Sequence, residues 1–176
     1  MAAHLKYLVT AVVSSLVAIA GIALAADTGL TEDEREFINK AAQGGQMEVL
    51  AGKLAVQRAL DPAVKDFGQK MASDHTAANA QLKKLAESKL VNLPDSVSPE
   101  EHTALGKLEG LTGADFDKAY SRMMVKDHET DISDFQKEIK KGQDADVKAF
   151  AEQTLPTLQH HLMLAKRLSA AEKKSP

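Results

Sequence analysis

Four stretches of this chain repeat apolar residues at alternating spacings of three and four, and that period commits them to helices. The inward stripe of the first stretch reads Phe37, Ala41, Gly44, Glu48, Ala51, Ala55. The second reads Val64, Gly68, Met71, His75, Ala78, Leu82, Leu85, and the third Tyr120, Met124, His128, Ile132, Phe135, Ile139. The fourth reads Val147, Ala151, Thr154, Leu158, His161, Ala165, Leu168. Each helix spans about 28 residues, or ~42 Å at the helical rise. Aromatics make up only 4% of the chain and cysteine is absent, so packing rather than disulfides must hold the bundle.

The ends of the helices are marked by their chemistry. Thr31 with Glu34 forms a capping box, and Asp61-Pro62 stops one helix while starting the next. Ser98-Pro99-Glu100-Glu101 caps a short helix, and Thr112-Gly113-Ala114-Asp115 is read as the cap of the third long one. Lys140-Lys141-Gly142 supplies basic residues and a terminating glycine. The helices are expected over 32–60, 62–89, 113–141 and 144–171, with the short one over 99–109, in a single domain covering 31–172. Residues 173–176 form a tail. The first and last pairs are joined tightly, which forces antiparallel neighbours. The middle connection is long enough to travel the length of the bundle. The fold class is therefore all-α: a ferritin-like four-helix bundle with a long crossover between helices 2 and 3 that carries the short extra helix. A plain up-and-down bundle with a large loop is the alternative.

Residues 1–25 stand apart. Lys6, a long apolar run and the ending Ala23-Leu24-Ala25 have the three parts of a secretory signal peptide cleaved after Ala25. A retained anchor is the alternative, because Tyr7 to Leu24 nearly suffices to cross a bilayer. Residues 26–30 are a short segment before the bundle. Cleavage leaves no transmembrane segment and an exported protein of the periplasm or cell envelope. The whole chain has a formal net charge of −3, and losing Lys6 makes it more negative, which argues against nucleic acid as a partner. No residue pattern identifies a protein partner.

The four stripes share one oddity: each has a single polar interruption, at Glu48, His75, His128 and His161. Measured from the tight turns, their heights are about 20, 20, 21 and 25 Å, so all four side chains can meet in one mid-bundle layer. A lone histidine on an apolar stripe is ordinarily a satisfied core residue. Four such interruptions on four helices at matching heights favour a site for one transition-metal ion, with Zn, Cu, Fe and Mn not distinguished. Met71 and Met124, one turn before two of the histidines, are core residues by default and thioether ligands for copper by extension. His160 falls on the flank as a possible further ligand. Asp74 and Asp127, each preceding a histidine, point about 100° away from it and are expected to support rather than ligate. Gly44, Gly45 and Gly52 around Glu48 call for close backbone approach or space for a ligand. Two other classes of role stay open: a structural protein whose buried Glu–His network specifies packing or titrates, and a metal-dependent oxidoreductase. The residues name no reaction, and a non-enzymatic role in metal handling or stress tolerance is the leading expectation.

Three blocks, FGQKMASDHTAANAQLKKLA, LTGADFDKAYSRMMVKDHETDISDF and VKAFAEQTLPTLQHHLMLAKRL, resemble the exported "domain of unknown function 4142" family, whose members are often labelled outer membrane proteins. The resemblance covers about residues 31–170. It implies a ferritin-like bundle in a bacterial envelope, with histidines at the positions of His75, His128 and His161 and the carboxylate of Glu48. It implies no reaction. Di-iron members of the ferritin-like group carry Glu-x-x-His on two helices. Here Ala72, Val125 and Leu158 stand three residues before the histidines, so a single-ion site is expected.

Overall fold

The computed structural model describes residues 29–172. The expected signal peptide and the tail at 173–176 lie outside the described residues. Five helices follow in order: α1 (Glu32–Arg58), α2 (Pro62–Ser88), α3 (Pro99–Glu109), α4 (Gly113–Lys141) and α5 (Ala145–Glu172). Among the described residues there is no strand, and no helix is long and apolar enough to cross a membrane.

Local chemistry starts most of them. Thr31 Oγ1 accepts from Glu34 N while Glu34 Oε2 accepts from Thr31 N, closing the capping box of α1. Ser98 and Glu101 do the same for α3, and Asp61 Oδ1 accepts from Ala63 N at the head of α2. Two expected devices work differently. Thr112 occupies the cap position of α4, but its side chain makes no capping bond. Gly113 follows with φ +64°, a left-handed conformation that glycine adopts without strain. Gly142 ends α4 in extended conformation, φ −57°, rather than left-handed. Glycine is needed there because the Glu138 side chain and its carbonyl oxygen occupy the place of a Cβ.

The helices form a square in which α1 neighbours α2 and α4, α5 neighbours the same two, and α3 lies across α1 and α4. Two buried carboxylates reveal the directions. Glu34, in the first turn of α1, accepts from the backbone N–H groups of Gln143 and Asp144 between α4 and α5, both at 2.6 Å. Asp117, near the start of α4, accepts from the N–H groups of Leu60 and Asp61 between α1 and α2. The start of each helix thus sits at the end of the other, so α1 and α4 are antiparallel and α2 and α4 run parallel. The crossover therefore travels the length of the bundle. It leaves α2 where Lys89 pairs with Asp144 and Asp146 and passes the middle of α1, where Gln46 donates to the Pro94 carbonyl.

Helices α1 and α2 approach most closely at Gly52 and Gly68. A Cβ on Gly52 would lie 2.6 Å from the Gly68 oxygen, and one on Gly68 would lie 2.8 Å from the Gly52 oxygen. The apolar interior divides into two clusters. One is built around Phe67, Met71, Phe116, Tyr120 and Met124, the other around Phe37, Ile38, Leu82, Phe135 and Phe150. Between them lies the polar layer.

Candidate metal centre

Four helices deliver one side chain each to that layer: Glu48 from α1, His75 from α2, His128 from α4 and His161 from α5. All are buried, the most exposed retaining only 4% of its surface. The three imidazoles form a triangle with ring centroids 5.2, 5.5 and 5.6 Å apart. One ring nitrogen of each lies within 4.8 Å of a nitrogen of the other two, close enough for the three to hold one metal ion.

One nitrogen of each ring is engaged by a neighbour, which settles which nitrogen is left without a partner. His128 Nδ1 lies 3.0 Å from the Met124 carbonyl, which can only accept, so Nδ1 carries the proton and Nε2 a lone pair. His161 Nε2 donates to Asp74 Oδ2 at 2.9 Å, leaving Nδ1 as the lone pair. His75 Nδ1 is engaged by Glu48 Oε2 at 2.7 Å, which leaves Nε2 as its unpartnered nitrogen. The three remaining atoms, His75 Nε2, His128 Nε2 and His161 Nδ1, are buried and have no hydrogen-bond partner. Burial holds His75 and His161 down at about 4 and His128 at about 3, the last also disfavoured by its two histidine neighbours. All three rings are therefore neutral near pH 7, the form that binds metal ions.

Glu48 stands beside this triangle rather than in it. Its Oε2 orients His75, and its Oε1 lies 3.2 Å from His128 Nε2 with neither atom hydrogen-bonded. Glu48, Asp127 and His128 make a second group of mutually close ligand atoms. Burial pushes the Glu48 carboxyl well above its ordinary range, and the charge of Asp131 adds to the shift. Burial and the nearness of Glu48 do the same to Asp127, and burial with Asp127 does so to Asp131. Asp74 goes the other way. Burial would raise it, but its bonds to Lys70 and His161 outweigh that and keep it ionised.

Several positions singled out in the sequence fall elsewhere. His160 is exposed on the outer face of α5 and belongs to neither group of close ligand atoms. Met71 and Met124 are fully buried in the apolar cluster with Phe67 and Tyr120. What Met124 is seen to give the site is its backbone carbonyl. Asp74 supports a histidine, but His161 on α5 rather than the adjacent His75. The sequence reading missed Asp131 and Glu101, which face the layer across Gly44, and the unpartnered hydroxyl of Tyr120. Asp127 and Asp131, one turn apart around His128, were the available signal.

A family model described as "Domain of unknown function (DUF4142)" matches residues 20–168. The chain belongs to this family. No curated protein matches the sequence. Among solved structures, this DUF4142 chain resembles a DUF305 fragment from Deinococcus radiodurans, with TM-score 0.72 and 13% identity over 81% of this chain and 98% of that one. A DUF305 protein from Streptomyces coelicolor gives 0.67 and 15% over 80% and 94%. At these identities the likeness shows a shared helical-bundle fold and nothing about ligands.

Proposed function

We propose that this DUF4142 protein is an exported bacterial metal-binding protein that holds one transition-metal ion at His75 Nε2, His128 Nε2 and His161 Nδ1. The supporting observation is the set of three buried lone pairs, each left without a partner and each fixed by an acceptor on the opposite side of its ring. An imidazole with its second nitrogen held by a carboxylate or carbonyl is the usual form of a metal-bound histidine. Orphaned buried polar atoms are costly, and a metal ion satisfies three at once. Glu48 and Asp74 act as the orienting carboxylates of His75 and His161. A set of neutral nitrogens suits Zn, Cu or Fe better than Mn, which favours oxygen. The Lys6, apolar-run and Ala-Leu-Ala pattern at the N-terminus supports export, and the role is metal handling or stress tolerance in the envelope.

Elemental analysis of the exported protein, purified without a His-tag or chelator, tests this. About one equivalent of a single transition metal per chain is expected, lost in His161→Ala and weakened ~10–100-fold in Asp74→Asn. A folded protein that carries no metal and takes up none on addition would overturn the reading.

A further inference from the structure

Next to the histidine triangle lies a second polar cluster of the opposite character. Gly44 of α1 faces two carboxylates: an added Cβ would lie 3.9 Å from both Asp131 Oδ1 of α4 and Glu101 Oε1 of α3. Glu48 lies one turn further along α1, with Asp127 against it. The two carboxyls that flank Gly44 thus lie one turn along α1 from the close Glu48–Asp127 pair, and the four come from three helices. The ion pairs formed by lysines of the described residues go to other carboxylates. Uncompensated acids at this depth are costly unless a proton or a cation joins them.

Two further observations point to a ligand. Glu48 is 2% exposed, and its Oε1 and Asp127 Oδ2 find no donor except each other's carboxyl. A cavity of about 20 Å³ is bounded by Gly44, Glu48, His75, Asn79 and Asp131 among others, room for one water-sized occupant. The cluster also has a way out. A groove of about 560 Å³ between α3 and α4, lined by Met47, Glu101, Leu108, Met123 and Asp127 among others, brings solvent to two of the carboxylates. The other cleft that reaches the layer, between α2 and α5, offers Asp74 as its carboxylate, and Asp74 Oδ2 is already bound to Lys70 and His161.

We propose that Glu48, Asp127, Asp131 and Glu101 form an oxygen-lined staging site that takes a divalent cation from the α3–α4 groove before it passes to the three histidine nitrogens. Carboxylates suit this step: Glu100 and Glu101 line the groove and draw cations in, raising the on-rate, and the deeper acids trade their protons for the cation. His128 belongs to both groups of close ligand atoms and is the point of transfer. The inference rests on the core-site reading above and adds a kinetic pathway to it.

The test is stopped-flow loading of the metal-free protein with Co²⁺, followed by the visible absorption of the nitrogen-bound ion. The Glu101→Gln/Asp131→Asn variant is chosen because the ion pairs of the triangle's histidines go to Glu48 and Asp74 instead, and glutamine still closes a capping box. It should reach the same final absorbance as the native protein, about tenfold more slowly. Added salt should slow the native protein more than the variant. Gly44→Ala, which fills the space between Asp131 and Glu101 without a clash, should also load slowly while folding normally. Loading rates within about twofold of native in both variants, a size that electrostatic steering would exceed, would overturn the staging site and leave the core site standing. So would a folded double variant that binds no Co²⁺, since the acids would then belong to the core ligand set. Failure of the native protein to bind Co²⁺ at all would remove both proposals.

Discussion

Two buried carboxylates, Glu34 at one end of this bundle and Glu48 in its middle, behave in opposite ways. Glu34 is 1% exposed and Glu48 is 2% exposed. At Glu34, burial alone would raise the pKa, but bonds from the N–H groups of Asp144, Thr31 and Gln143 and from the Thr31 hydroxyl outweigh it, and the carboxylate is held below its ordinary range. At Glu48, no backbone donor is bonded, the neighbours are neutral rings and other acids, and the carboxyl is driven well above it. Depth and the supply of donors together decide whether a covered acid stabilises the fold, and Glu34 has the donors that Glu48 lacks. Glu34 and Asp117 are structural clamps. Glu48 and Asp127 each keep an oxygen with no donor from the fold's backbone, as functional groups commonly do.

The widest separation of the two regions should come from truncation. Glu34→Ala leaves the N–H groups of Gln143 and Asp144 without their acceptor and is expected to cost about 3 kcal/mol in urea denaturation, with Asp117→Ala similar. Glu48→Gln in the metal-free protein should cost about 1 kcal/mol or less, because burial already disfavours the charged carboxylate and glutamine matches the neutral acid in shape. A large loss at Glu48 without metal would erase the contrast. Next, Zn²⁺ at a hundredfold excess over its dissociation constant should add about 2.7 kcal/mol to the native protein, seen as a raised melting temperature. His161→Ala should remove this gain, whereas Glu34→Gln should keep it.

Glycines sharpen the comparison at smaller scale. Gly52→Ala forces a Cβ to 2.6 Å from the Gly68 oxygen and is expected to cost about 2 kcal/mol in thermal or urea melts. Gly44→Ala meets only ordinary contacts at 3.9 Å and should gain up to about 1 kcal/mol from helix propensity. The smallest effect is the pH response of the clamp. Because Glu34 in the folded protein lies below its ordinary value of 4.5, its contribution is complete above that pH and is lost as pH falls through the folded value. Urea midpoints measured between pH 5 and pH 3 should therefore fall more steeply for the native protein than for Glu34→Gln.

The helical bundle and the layer were legible in the sequence because both follow from a period. Apolar spacing defined four stripes, and the unequal connections carried the direction of α4. Counting residues from the tight turns placed Glu48, His75, His128 and His161 at one height. Pairings that depend on which helices are neighbours were not legible. Asp74 serves His161 because α2 packs beside α5, a fact absent from its own helix. Asp117 reads as one more acid near a helix start, and Glu34 as half of a capping box. Only the antiparallel placement of α1 and α4 turns each into a clamp on a distant turn. Glu101 reaches the cluster because the crossover lays α3 over the mid-bundle layer. Thr112 and Gly142 had the right residue types for cap and stop, but backbone angles at Gly113 and the crowding of Glu138 decided how each was used.

The two clamps make the halves of the chain dependent on each other. The α1–α2 hairpin has the N–H groups of Leu60 and Asp61 at its bend, and their acceptor belongs to α4. The α4–α5 hairpin has those of Gln143 and Asp144, and their acceptor belongs to α1. A fragment cut within the crossover would carry one acid and the wrong bend. Each hairpin alone keeps its bend in water and lacks a wall for its apolar face, so the two are halves of one cooperative unit rather than modules that can be exchanged. Fragments recombined in a test tube should gain structure together and at the same concentration, with the closing of each bend serving as a check that the opposite hairpin has docked in register.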